Sequence, residues 1–89
     1  MTIDPDRLAN VTANGAARAA VRTVDVLQDL SEDQRVVGIA AAFVLTCTAY
    51  GVNRNDMMRI ADRIVTFFGD TTYKPEFRAI LEYMKNGGK

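Results

Sequence analysis

Nucleophilic chemistry in this chain has two starting points, Ser31 and Cys47, the sole serine and sole cysteine among 89 residues. Neither has the partner it needs. The sequence contains no histidine, so a Ser–His or Cys–His pair cannot be assembled. The commonest general base and transition-metal ligand is missing with it. Cys47 lies in an uncharged stretch, with no basic neighbour in sequence to lower its pKa, and reads as a buried thiol. The carboxylates are spread over polar faces instead of being paired within an apolar segment, as an acid–base dyad requires. No glycine-rich phosphate loop, Walker motif or zinc-ligand spacing occurs. The expectation is a protein that is not an enzyme and carries no cofactor or metal.

Recognition is the chemistry left, and two sets of residues suit it. Asn53, Arg54, Asn55, Arg59 and Arg63 place amides and guanidinium groups within eleven residues. Arg is the cation suited to planar, bidentate contacts with carboxylate or phosphate. Tyr50 and Met58 suit an adaptable protein interface, since both side chains tolerate varied partners. Met57 and Met58 are adjacent, so on a helix they point about 100° apart and cannot share one inner face.

The spacing around Gly51 resembles the helix-turn-helix pattern over residues 43–63. Cys47 stands as the small residue, Gly51 as the turn glycine and Val52 as the apolar residue after it, with Met57 and Ile60 anchoring a second helix. The resemblance implies that this second helix enters the major groove. Asn53, Arg54 and Asn55 would then meet bases or phosphates, and Arg59 and Arg63 the backbone. Asp56 and Asp62 lie among these residues, and no Lys reinforces them.

Those residues need elements to position them, and the chain reads as all-α. Val36 to Val52 is a run of seventeen uncharged, mostly apolar residues. Ser31 with Gln34 three residues on has capping-box spacing. Glu32 and Asp33 complement the helix dipole, and Gly51 closes the run. A helix over 32–50 follows, apolar nearly all round, which must be covered on several sides. As a membrane span the run sits at the lower edge of the ~17–25 residues needed. Arg35 and Arg54 flank it without orientation bias. It reads as the central helix of a small four-helix bundle, with no membrane expected.

Three amphipathic helices are available to cover it. Within 16–30, Arg18, Arg22, Asp25 and Asp29 draw a polar stripe, with Arg22 and Asp25 spaced to pair, behind an Ala- and Val-rich face. That face is expected against the apolar helix that follows. Within 56–68, Met57, Ile60, Ala61, Ile64 and Phe68 face inward, and Gly69 ends the helix. Pro75 opens the last, where Phe77, Ile80, Leu81 and Met84 fall at i, i+3, i+4 and i+7. Residues 1–14 form an N-terminal arm or short helix started by Asp4-Pro5 and interrupted at Asn14-Gly15. Residues 87–89 are a loose tail.

Size and charge limit the function. Residues 1–89 make one small domain. Formal net charge is zero, against the basic balance usual for an electrostatic nucleic-acid binder. A single cysteine fits a reducing cytosol, and no basic segment followed by an apolar one marks a leader. Three amphipathic helices cannot fully cover the apolar one, so a homodimer is expected. The favoured reading is a small cytoplasmic interaction or regulatory module, of the accessory kind common in bacteria and phages, binding a protein partner or itself. The alternative is a dimeric helix-turn-helix DNA binder.

Overall fold

The computed structural model describes residues 2–67 and 72–86. Five helices account for most of them: α1 (Pro5–Ala9), α2 (Ala13–Val26), α3 (Glu32–Tyr50), α4 (Arg54–Val65) and α5 (Pro75–Lys85). Among the described residues there is no strand, only an isolated antiparallel bridge between Thr66 and Tyr73. The expected inner-face residue Phe68, the stop at Gly69 and the tail 87–89 lie outside the described residues.

Local chemistry sets the ends of the helices. Asp4 caps α1 by accepting from the Asp6 N–H, with Pro5 in the first turn. Asn14-Gly15 does not interrupt the chain as expected, because Thr12 starts α2 ahead of it. Its hydroxyl accepts from the Gly15 N–H at 3.0 Å, and a Cβ on Gly15 would lie 3.1 Å from that oxygen. A side chain there would crowd the cap. At α3 both halves of the capping box between Ser31 and Gln34 are present. Asn53 caps α4 through two N–H groups, which starts that helix at Arg54, two residues earlier than expected.

Gly51 ends α3 in the left-handed region, at φ 66°. The Val52 N–H reaches the Cys47 carbonyl at 2.9 Å and the Gly51 N–H reaches Thr48, which is the Schellman pattern. An L-residue in this conformation costs roughly 1–2 kcal/mol. Gly51→Ala is therefore expected to lower stability by that amount, read from urea unfolding followed by circular dichroism.

The core lies between α2, α4 and α5, with α1 laid on α4. Ala17, Val24 and Phe77 are buried there. Asp25, expected beside Arg22, instead accepts from the Tyr83 hydroxyl at 2.8 Å and ties α5 to α2. That bond, then desolvation and the negative charge of Asp25, raises the phenol above its usual 10.0. Lys74 Nζ donates to the Arg63 carbonyl at 3.2 Å and holds the start of α5 to the end of α4.

The position of α3 corrects the expectation of a central helix. It touches the rest of the molecule chiefly through α4, while the apolar face of α2 packs on α5 and α4 instead of on α3. Of its nineteen residues only Cys47 is buried, at 3% exposure. Phe43, Val44 and Tyr50 are half-buried, and every residue from Val36 to Ala42 is exposed. The four other helices close a small core among themselves, and α3 flanks it, held at its ends. At the first end, Arg35 donates to the Leu30 and Gln28 carbonyls, each at 2.9 Å. At the other, the Ile3 N–H meets the Tyr50 carbonyl at 3.0 Å.

Candidate functional site

The apolar surface of α3 is the most unusual feature of the molecule. Val36, Val37 and Leu45 are 71%, 66% and 69% exposed, values normally found for charged side chains. From Val36 to the end of the helix no charge interrupts them. Gly38 sits among them, and a Cβ built on it would meet nothing within 4 Å. Glycine inside a helix costs about 0.5–1 kcal/mol relative to Ala. Nothing within one chain requires it there.

The whole surface carries the same message. The chain exposes 6715 Å², whereas a folded monomer of 9.8 kDa exposes about 5,200 Å². The excess is about 1,500 Å² by that scaling. The radius of gyration, 13.5 Å, exceeds the roughly 12 Å of a compact domain of this length.

A second apolar surface lies on the other helices. Leu8 and Val11 from the α1 side, Ala16 and Ala20 from α2, Met57, Ala61, Ile64 and Val65 from α4, and Phe77 from α5 line a cleft of about 290 Å³. Sequence periodicity assigned most of these residues to inward faces. It gave no sign that the faces leave a gap between them, because that depends on how closely the helices approach.

The nucleic-acid candidates fall at the start and outer side of α4. A three-residue turn, 51–53, joins α3 to α4, and the two axes differ in direction by 114°. That lies within the 90–120° of helix-turn-helix units. Arg54, Asn55, Arg59 and Arg63 are all exposed. Asn53 is engaged: its side-chain oxygen accepts from the Asn55 and Asp56 N–H groups at 2.9 and 3.1 Å. Arg59 pairs with Asp56, and Asp62 lies exposed on the same helix. One of the three arginines is thus neutralised, and a carboxylate stands among them. The two partner candidates separate: Met58 is exposed on α4, while Tyr50 is half-buried at the end of α3.

Among the described residues no group of three or more His, Cys, Asp or Glu side chains stands where it could hold a metal ion. Among the described residues no single helix is long and apolar enough to cross a membrane; α3 and α4 taken together would be by length and composition, and they are sharply bent. Compared with family models, curated proteins and solved structures, the chain matches none.

Proposed function

We propose that this protein is a small, non-enzymatic helical interaction module that acts as a homodimer, with α3 as its principal contact surface. The exposed, charge-free side of α3 carries this reading. Apolar patches of this extent on small domains mark sites of association. The excess of about 1,500 Å² per chain supports it too, because a stable interface takes about 800 Å² from each partner and obligate dimers take more. Zero net charge permits two identical surfaces to meet without strong repulsion.

A helix-turn-helix DNA binder is the second reading, favoured by the 114° bend and the three-residue turn. The two share a dimer and differ in what α4 does. Light scattering of the protein with and without a short duplex, at low and moderate salt, separates them. The expected result is twice the 9.8 kDa chain mass with no duplex bound at either salt. Duplex binding that falls steeply with salt and is lost in Arg54→Ala/Arg59→Ala would put the DNA reading first. A monomer at every concentration removes the dimer from both.

A further inference from the structure

Five residues of α3 stand on one exposed strip. Gln34, Val37, Ala41, Leu45 and Thr48 fall within an arc of about 80° of the helix, and all five are exposed. Their order is polar, large apolar, small, large apolar, polar, and their spacings are three, four, four and three. The strip therefore has the same pattern from either end, with Ala41 at its centre. Ala41 is about 120° round the helix from the buried Cys47, so the strip is turned away from the protein's own core. Gly38 borders the strip, and a Cβ built on it would meet nothing within 4 Å. A residue without a Cβ lets a neighbouring backbone come close.

A strip of this symmetry complements a second copy of itself laid in the opposite direction. A two-fold axis brings the same patch of two subunits together, so that residue i meets j and j meets i. With the axis at Ala41, that residue meets its own copy, Val37 meets Leu45 and Gln34 meets Thr48. The end pairs match chemically. Gln34 uses its side-chain oxygen in the capping box, at 3.2 Å from the Ser31 N–H, and has its NH2 group to offer as a donor. Thr48 gives its hydroxyl proton to the Val44 carbonyl at 3.0 Å and has its oxygen to offer as an acceptor. Gln34, Ala41 and Thr48 are also seven residues apart, the repeat that keeps two helices in contact along their length. A parallel pair would instead set Gln34 against Gln34 and Thr48 against Thr48. It would also bring the two acidic first turns, Glu32 and Asp33, to the same end, where like charges oppose the contact. The area suffices: the excess of about 1,500 Å² per chain is larger than the roughly 800 Å² that each partner gives to a standard contact.

We infer that α3 pairs antiparallel with α3 of a second copy, in the register that centres both helices on Ala41. The inference rests on the self-association proposed above and adds its direction and register. Val36 and Ile39 point about 140–160° away from Ala41 and take no part in this contact.

Disulfide formation between introduced cysteines tests it. Val37→Cys, Ala41→Cys and Leu45→Cys are made separately with the buried Cys47 retained, and the parent chain is the control. All three positions are exposed in the single chain, so all three variants are expected to fold. In the antiparallel register the two copies of Val37, or of Leu45, are eight residues and about 12 Å apart along the axis. A disulfide spans roughly 7 Å between Cα atoms at most. Ala41→Cys is therefore expected to join to its own copy roughly tenfold faster, or more, than either of the others. Differently tagged Val37→Cys and Leu45→Cys chains, co-expressed, are expected to join to each other at that faster rate. Self-joining as fast at Val37→Cys or Leu45→Cys overturns the direction and the register. A dimer by light scattering in which no introduced cysteine joins overturns the α3 contact and leaves self-association standing. A parent chain that is monomeric by light scattering overturns both.

Discussion

Glutamate at both Val37 and Leu45 is expected to leave the chain helical and make it monomeric. Within one chain both side chains are largely in water, and Glu has at least the helix propensity of the residues it replaces. The folded monomer therefore gains no cost from the change. In the proposed dimer the same positions would lie against apolar surface, and each copy would bring two carboxylates into it. Leaving a charge buried without its partner costs about 3–5 kcal/mol. A tenfold loss of affinity corresponds to about 1.4 kcal/mol, so association weakens by two to three orders of magnitude or more. Sedimentation equilibrium gives the mass and far-ultraviolet circular dichroism the helix content. A double variant that stays dimeric moves the interface away from α3. A double variant that unfolds identifies a dimer with no stable folded monomer, because the lone chain shows no contact that these substitutions break.

The second large effect is expected at Phe77. It is buried where α5 packs on α2, at the edge of the cleft lined by α4, and no other aromatic side chain is as deeply placed among the described residues. Phe→Ala in such a position costs about 3–5 kcal/mol. A small domain has little stability to spare, and among the described residues this core holds Ala17, Val24 and Phe77 as its buried side chains. Phe77→Ala is therefore expected to be largely unfolded in dilute solution. Association links stability to concentration, since a second copy binds the folded chain and not the unfolded one. Raising the concentration a hundredfold shifts that equilibrium by about 2.7 kcal/mol per dimer. Spread over two chains, this raises the melting midpoint by about 5–10 °C. Melts of the parent and the variant at the two concentrations check both statements. A midpoint independent of concentration in the parent excludes dimer-coupled stability.

The helices of this protein were legible in its sequence because their ends are determined by neighbours in the chain. Ser31 and Gln34 make the capping box, Gly51 takes the left-handed conformation, and Pro75 opens α5 as its fixed φ favours. Asn14-Gly15 was misleading for the same local reason: an oxygen two residues upstream, on Thr12, was the stronger signal. The inward face of α4 from Met57 to Ile64, and Phe77, Ile80 and Leu81 on α5, also followed from spacing, whereas Met84, expected on the same face, is exposed near the end of α5 beyond the helices that cover the others. The partner of each face did not follow from spacing. An apolar stripe records that a helix must be covered and carries no label for what covers it. The Ala-rich face of α2 was assigned to the next helix in the chain, yet it packs on α5, the last helix of the chain. Asp25 finds Tyr83 across that contact instead of Arg22 in its own helix. The same ambiguity placed α3 in the centre. A helix apolar on nearly every side calls for cover, and sequence cannot say what provides it. Tertiary structure decided that four helices close a core without it, leaving Val36, Val37 and Leu45 in water.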